Sequence, residues 1–215
     1  VCDAIFVVVP TKSHYEVTKD AHENGLHVFC EKPVTETIDQ AEELMQIAKD
    51  KNLILQVGHI ERFNPAFKAL QKIELEPVFI ECHRISQFNE RGIKSAVIPE
   101  LMIHDLDIIL NIVKSKISHI EASGAPVLTD NIDIANVRIN FENGCVANVT
   151  ASRVSMKSER KTRIFQPDAY ITIDFQNKKL GVHRKGEGEM FPGIAEIDSL
   201  EREFEQGDAL LAESD

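Results

Sequence analysis

The sequence predicts an α/β protein in two parts: a parallel-sheet segment over residues 1–58, then an α+β domain over 59–215 with a large, mostly antiparallel sheet. Three observations carry this expectation. Short β-branched runs at 5–9, 27–30 and 53–57 alternate with two stretches of helical length, the order that builds a parallel sheet with right-handed crossovers. That alternation stops after Gly58, and from residue 117 strand-like runs follow one another directly. Asn143-Gly144, set between two alternating runs, is a strong signal for a type I′ hairpin.

Each element has a local reason. Residues 5–9 are too short and too β-branched for a helix and read as a fully buried strand. Ser13 is placed to cap a helix over 14–24, and Gly25 supplies its left-handed stop. After the strand over 27–30, Thr37 caps a second helix that ends near Lys51 and carries Ala41, Leu44, Met45, Ile47 and Ala48 on one face. Residues 53–57 form a third buried strand. Pro65 opens a short helix through Leu70, residues 78–84 alternate like a half-exposed strand, and 100–113 have helical periodicity. Strands are predicted over 117–123, 132–141, 145–152, 163–166, 170–175 and 180–183. A last periodic run holds Leu200, Phe204, Leu210 and Leu211. Because Val1 falls within a strand pattern and Asp215 closely follows that run, both ends are expected to continue in a longer chain.

Composition excludes some functions. A net charge of −11 without a dense Lys/Arg cluster argues against a nucleic-acid partner. The densest basic run, 157–163, is interrupted by Glu159 and reads as a solvated loop. The longest unbroken apolar run, 4–9, is far too short to span a membrane. Cys2, Cys30, Cys82 and Cys145 lie in or beside apolar runs with no C-x-x-C pair, as expected of buried free thiols in a reducing cytoplasm.

Three groups of residues could carry chemistry. Lys32, fixed between Glu31 and Pro33, ends a strand whose carboxyl end is where ligands bind in open α/β sheets; the alternative is a surface lysine opening a loop. Glu100, His104 and Asp107 share one face of a helix, where carboxylates can orient an imidazole for general-base work. A metal site and an ordinary helix-end histidine are the rival readings. The run 56–65 gathers His59, Glu61, Arg62 and Asn64 after a strand; Arg62 suits an anionic or hydroxyl-rich substrate, whereas Glu61 fits an interdomain salt bridge equally well. No segment has the G-x-G-x-x-G pattern of a phosphate-cradling loop.

The run Val7-Val8-Val9-Pro10-Thr11 with His14, then Gly25 to Pro33 ending Glu-Lys-Pro, then Gly58-His-Ile-Glu-Arg-Phe-Asn-Pro65, and finally Ile103-His-Asp-Leu-Asp107 resembles the Gfo/Idh/MocA oxidoreductases. The likeness covers essentially the whole chain. It implies the later part of an N-terminal Rossmann domain, beginning near its fourth strand, and a C-terminal domain that binds substrate and forms oligomers. It implies hydride transfer between NAD or NADP and a secondary alcohol of a sugar, with Lys32 and His104 as the catalytic pair. Pro10, Thr11, His14, Glu31 and Lys32 fall at cofactor-binding positions, and Arg62, Asn64, Glu100 and His104 at substrate-binding ones. The Lys32–Pro33 bond is expected to be cis, and a further helix is expected beyond a region like 207–210. Many relatives carry Asp and Gly where this chain has Glu100 and Met102; the methionine narrows the space near the substrate. The run from Gly58 is most similar to members acting on nucleotide-linked amino sugars. The resemblance further implies a homodimer or homotetramer joined through the C-terminal sheet. A non-catalytic sugar-binding or oligomer-forming module is the alternative.

Overall fold

Three parallel strands, β1 (Ala4–Val7), β2 (His27–Cys30) and β3 (Leu55–Val57), lie side by side in that order. They belong to a computed structural model that describes residues 2–89, 95–192, 194–205 and 213. Their unit spans Val1–His59, and a second unit spans Ile60–Asp215. Helices α1 (His14–Glu23) and α2 (Ile38–Asp50) provide the crossovers. Glu43 of α2 joins the two helices, accepting from Lys19 Nζ and from the Tyr15 hydroxyl, each at 2.7 Å.

Local signals explain most boundaries. Thr37 Oγ1 accepts the Gln40 N–H and caps α2, and Gly25 follows α1 at φ +80°, a conformation that costs glycine nothing. Ser13 corrects the sequence reading. Its side chain makes no capping bond, because a 3₁₀ turn at Thr11–Ser13 already leads into α1. Full burial of residues 5–9 is also overturned. Only Val7 is buried, while Phe6 is 58% and Val8 70% exposed. Val7, Val28 and Cys30 pack on α1 through Ala21, whereas Phe6 and Phe29 meet on the other face with ring centroids 5.0 Å apart and planes tilted by 37°. The stripe read on α2 narrows likewise to Leu44 and Ala48, with Met45 exposed.

The second unit is an eight-stranded sheet in the order β11-β10-β9-β8-β4-β7-β6-β5, antiparallel except where β4 meets β7. Its strands are β4 (Phe79–Ile85), β5 (Ile117–Ala125), β6 (Ile134–Phe141), β7 (Val146–Ser152), β8 (Glu159–Gln166), β9 (Ala169–Asp174), β10 (Lys179–Phe191) and β11 (Ile194–Glu203). α3 (Pro65–Leu70) and α4 (Ile103–Ile112) belong to the same unit. Phe67 and Leu70 of α3 and Ile108, Ile109 and Ile112 of α4 join a core with Ile80, Cys82, Ala147, Val149, Ile164 and Ile171 of the strands. Burying such side chains is worth about 1.5–3 kcal/mol each, which makes this face the main source of stability in the unit.

Several expectations need correction here. Most of the run 157–163 is strand: β8 starts at Glu159, and Arg163 donates to Glu81 at 2.8 Å. The turn at 142–144 is not type I′, since Gly144 alone has positive φ (+87°); Gly144 N–H reaches Phe141 O and the Asn143 side chain accepts from Cys145 N–H. Cys2 is exposed, while the other three cysteines are buried. Burial pushes the Cys145 thiol up to about 11 and raises Cys82 as well, so neither is an active thiolate. Of the last periodic run, Leu200 lies in β11, and Leu210 and Leu211, with the region 207–210, fall outside the described residues.

Asp133 organises the loop before β6. Its Oδ2 accepts the N–H groups of Val127, Leu128 and Thr129 at 2.7–2.9 Å, and Oδ1 accepts Arg153 Nε at 2.7 Å. Burial alone would raise this carboxyl, but the three backbone donors and Arg153 hold it well below the usual range. A depressed carboxylate stabilises the fold fully above its unfolded pKa of about 3.9 and loses that contribution as pH falls toward the folded value. Asp133→Asn is therefore expected to melt at a lower temperature at pH 7, with the deficit shrinking below about pH 4. Parallel thermal scans of both proteins from pH 7 to pH 3 check this.

Candidate active site

The carboxyl ends of β1, β2 and β3 are locked together by backbone bonds. Glu31 N–H donates to Val7 O at 3.1 Å and Gly58 N–H to Cys30 O at 2.8 Å. Parallel strands send their loops off the same rim, so residues following Val7, Cys30 and Val57 line one edge of the unit. Lys32 stands on that rim next to Glu31, whose Oε2 accepts the Lys32 backbone N–H at 3.3 Å. The Lys32–Pro33 bond is cis. Gly58 is needed for close approach: a Cβ there would stand 3.0 Å from the Phe29 ring and 3.3 Å from the Glu31 carboxyl carbon. Pro10 and Thr11 lie on the loop after β1, where Pro10 O accepts the Ser13 N–H at 2.8 Å.

His14 is buried beneath this rim, at 2% exposure. Its Nε2 lies 2.8 Å from Val9 O and its Nδ1 2.8 Å from Pro33 O, so both ring nitrogens are engaged by the backbone. A role in touching a ligand directly does not fit that position.

In the second unit, the segment carrying His104 starts with a π turn. Over Ile98–Met102 the hydrogen bonding widens, with Ile103 N–H reaching back five residues to Ile98 O, before α4 continues as an ordinary helix. Such turns recur at functional sites. The sequence periodicity over 100–113 gives no sign of it, because the apolar pattern tolerates one extra residue. His104 is the second residue of α4 and is half-buried. Glu100, within the π turn, accepts from the Ser95 hydroxyl at 3.1 Å and stands 3.6 Å from Arg153. Asp107 is held by Arg62 through two parallel bonds, Nε to Oδ2 at 2.8 Å and Nη2 to Oδ1. Arg62, 43% exposed in its side chain, thus anchors α4 to the turn at Ile60–Phe63.

Behind His104 lies a charged network that sequence reasoning missed. Arg84 donates Nε and Nη2 to the two carboxylate oxygens of Asp105, both at 2.9 Å, and Nη1 to Glu61 at 2.8 Å. All three residues are buried. Burial pushes the Asp105 carboxyl above its ordinary range, and the contact with Arg84 opposes that push. Asn64 closes the network: Oδ1 caps α3 by accepting the Ala66 N–H, while Nδ2 donates to Phe175 O at 3.0 Å. At 5% exposure Asn64 is part of the scaffold, in contrast to the substrate contact expected of it. A signal was present: Arg84 and Asp105 occupy inward positions of an alternating strand and of a helical stripe, where apolar residues belong.

Comparison with known proteins places these features in a family. Residues 1–59 match the sequence model of an oxidoreductase family with an NAD-binding Rossmann fold, and residues 77–172 match the GFO/IDH/MocA C-terminal domain. The chain is 36% identical over 212 residues to UDP-N-acetylglucosamine 3-dehydrogenase of Acidithiobacillus ferrooxidans, covering 98% of this chain and 67% of that protein. A solved structure of that enzyme superposes with a TM-score of 0.90 over the same shares of the two chains. The scyllo-inositol 2-dehydrogenase (NAD(+)) of Bacillus subtilis is 27% identical over 168 residues, covering 71% of this chain and 49% of that one. An inositol dehydrogenase homologue from Azotobacter vinelandii, solved with NADH and myo-inositol, shares the fold at 23% identity and a TM-score of 0.79, over 93% of this chain and 56% of its own. The chain thus spans about half to two thirds of the length of these relatives. Both family models, and a relative 36% identical over 98% of this chain, show that this chain belongs to the GFO/IDH/MocA oxidoreductases.

Proposed function

We propose that the protein containing this chain is an NAD-dependent dehydrogenase that oxidises a secondary alcohol of a nucleotide-linked amino sugar, as UDP-N-acetylglucosamine. The observation that carries this reading is the 36% identity, spread over 98% of the chain, to an enzyme acting on that substrate. The rim of the first unit fits the nicotinamide end of the cofactor. Val8 and Val9 form an exposed apolar ledge after β1, suited to a flat ring, next to the loop that bears Glu31 and Lys32. Bound NAD supplies the hydride acceptor. Pro10, Thr11, Glu31 and Lys32 would hold its nicotinamide end; the role proposed for Lys32 is to polarise the reacting oxygen, and that for His104 is to take the hydroxyl proton. Glu100, held by Ser95 and Arg153, offers a carboxylate edge to sugar hydroxyls. Arg62, whose side chain stays 43% exposed while it holds Asp107, is the further contact offered to the substrate.

No helix among the described residues is long and apolar enough to cross a membrane. Cytoplasmic location, and a homodimer or homotetramer formed through the large sheet, complete the reading. Ile117, Ile120, Ile134, Ile197 and Leu200 are exposed on its strands, which supports such an assembly. The substrate is tested by incubating the full-length protein with NAD and either UDP-N-acetylglucosamine, free N-acetylglucosamine or myo-inositol, and following NADH absorbance. Reduction of NAD is expected with the nucleotide sugar at least about tenfold faster than with either free polyol. Equal or faster reduction with myo-inositol would overturn the choice of substrate.

A further inference from the structure

We infer that His14 is a positioning residue: a buried clamp that ties the loop after β1 to the loop after β2 and so fixes where Lys32 stands. The inference rests on the role proposed above for Lys32. Two independent contacts support it, since the ring lies 2.8 Å from Val9 O on one loop and 2.8 Å from Pro33 O on the other. Val9 immediately precedes Pro10 in the apolar ledge, and Pro33 immediately follows Lys32. A single rigid ring therefore spans the two segments on which the cofactor's ring and the reacting oxygen depend.

At the strand ends, backbone pairing crosses from one segment to the other, with Glu31 N–H donating to Val7 O at 3.1 Å. Further along, Glu31 Oε2 accepts the neighbouring Lys32 N–H, the Thr35 hydroxyl donates to Thr37 O at 2.7 Å, and the Cys30 thiol donates to Val34 O at 3.8 Å. His14 reaches past the strand ends, to Val9 and to Pro33. Carbonyl oxygens only accept, so a ring nitrogen bonds its carbonyl where it carries the N–H, and the tautomer decides which of the two loops receives that bond while the ring packs against both. Asparagine and glutamine offer hydrogens from one nitrogen alone and can serve the two carbonyls less well. Because His14 is 2% exposed, a truncated side chain would leave a gap beneath the rim and remove the ring from both carbonyls.

The test uses the full-length protein as His14→Ala, His14→Gln and Lys32→Ala variants beside the unaltered enzyme. Backbone hydrogen exchange by mass spectrometry reads peptides covering 8–13 and 31–37, with peptides from β1, β2 and α1 as internal reference. In His14→Ala both loops are expected to exchange about tenfold faster together, with the strands unchanged. Turnover should fall about tenfold or more while the KM for NAD changes far less, and His14→Gln should recover part of both effects. Loops that keep their exchange rates, or only one loop loosening, would overturn the clamp. So would faster exchange throughout β1, β2 and α1, which marks a general core defect, or loosened loops with unchanged turnover. Full turnover in Lys32→Ala together with loosened loops in His14→Ala upholds the tether and overturns the role of Lys32 instead.

Discussion

Lys32→Ala in the full-length protein is expected to lower turnover by about 10²- to 10⁴-fold while NAD still binds. The ammonium group is proposed to act on the reacting oxygen, where charge develops only as the proton leaves. Its removal therefore affects the transition state more than the bound substrate, and kcat and kcat/KM should fall together. His104→Ala should show a loss of similar size for a different reason, because water replaces a positioned base. Steady-state rates combined with a fluorescence titration of NADH separate the two effects from simple loss of cofactor. Near-normal turnover in either variant would remove that residue from the mechanism.

Arg84→Ala is expected to have the largest effect on stability, about 3–5 kcal/mol. The guanidinium is buried between Asp105 and Glu61, and its loss would strand two carboxylates inside the unit. At a few degrees per kcal/mol for a chain of this size, the unfolding midpoint should drop by roughly 10 °C. The pairing of Arg84 with Asp105 can be isolated by a double substitution, Arg84→Met with Asp105→Leu. These apolar residues suit the inward positions of β4 and α4, so the double variant should recover much of the loss. A double variant as unstable as Arg84→Ala would show that the loss does not come from the uncompensated charge of Asp105. Calorimetry of the three proteins decides this.

Much of the fold was legible where short-range chemistry decides the outcome. The helix cap at Thr37, the stop at Gly25 and the proline opening α3 are local signals, and the structure obeys them. The far half of β10 and all of β11 were not legible. Residues 186–191 and 194–203 include Glu187, Glu189, Glu196, Asp198 and Glu201, and they are largely exposed on both faces, so no apolar alternation marks them. What makes them strands is mutual backbone pairing, Val182 with Leu200 and Arg184 with Asp198 among others, and single-chain periodicity does not show it. In the same way, Lys32 could be placed at a strand end from β-branched runs alone. The use of His14 could not, because its partners are main-chain carbonyls brought together by two different loops.

The wide turn at Ile98–Met102 has a consequence for how this family can vary. An α-helix advances about 100° per residue, so one residue gained or lost within the turn would spin the segment before it by that angle while α4 stays seated on the sheet. Such an indel would carry Glu100 away from Arg153 and bring another side chain to its place, with Asp105 still fixed to Arg84. The turn therefore works as a rotary register: a single-residue length change would re-dial which side chain takes the place of Glu100 beside Arg153, while Asp105 holds the helix below it.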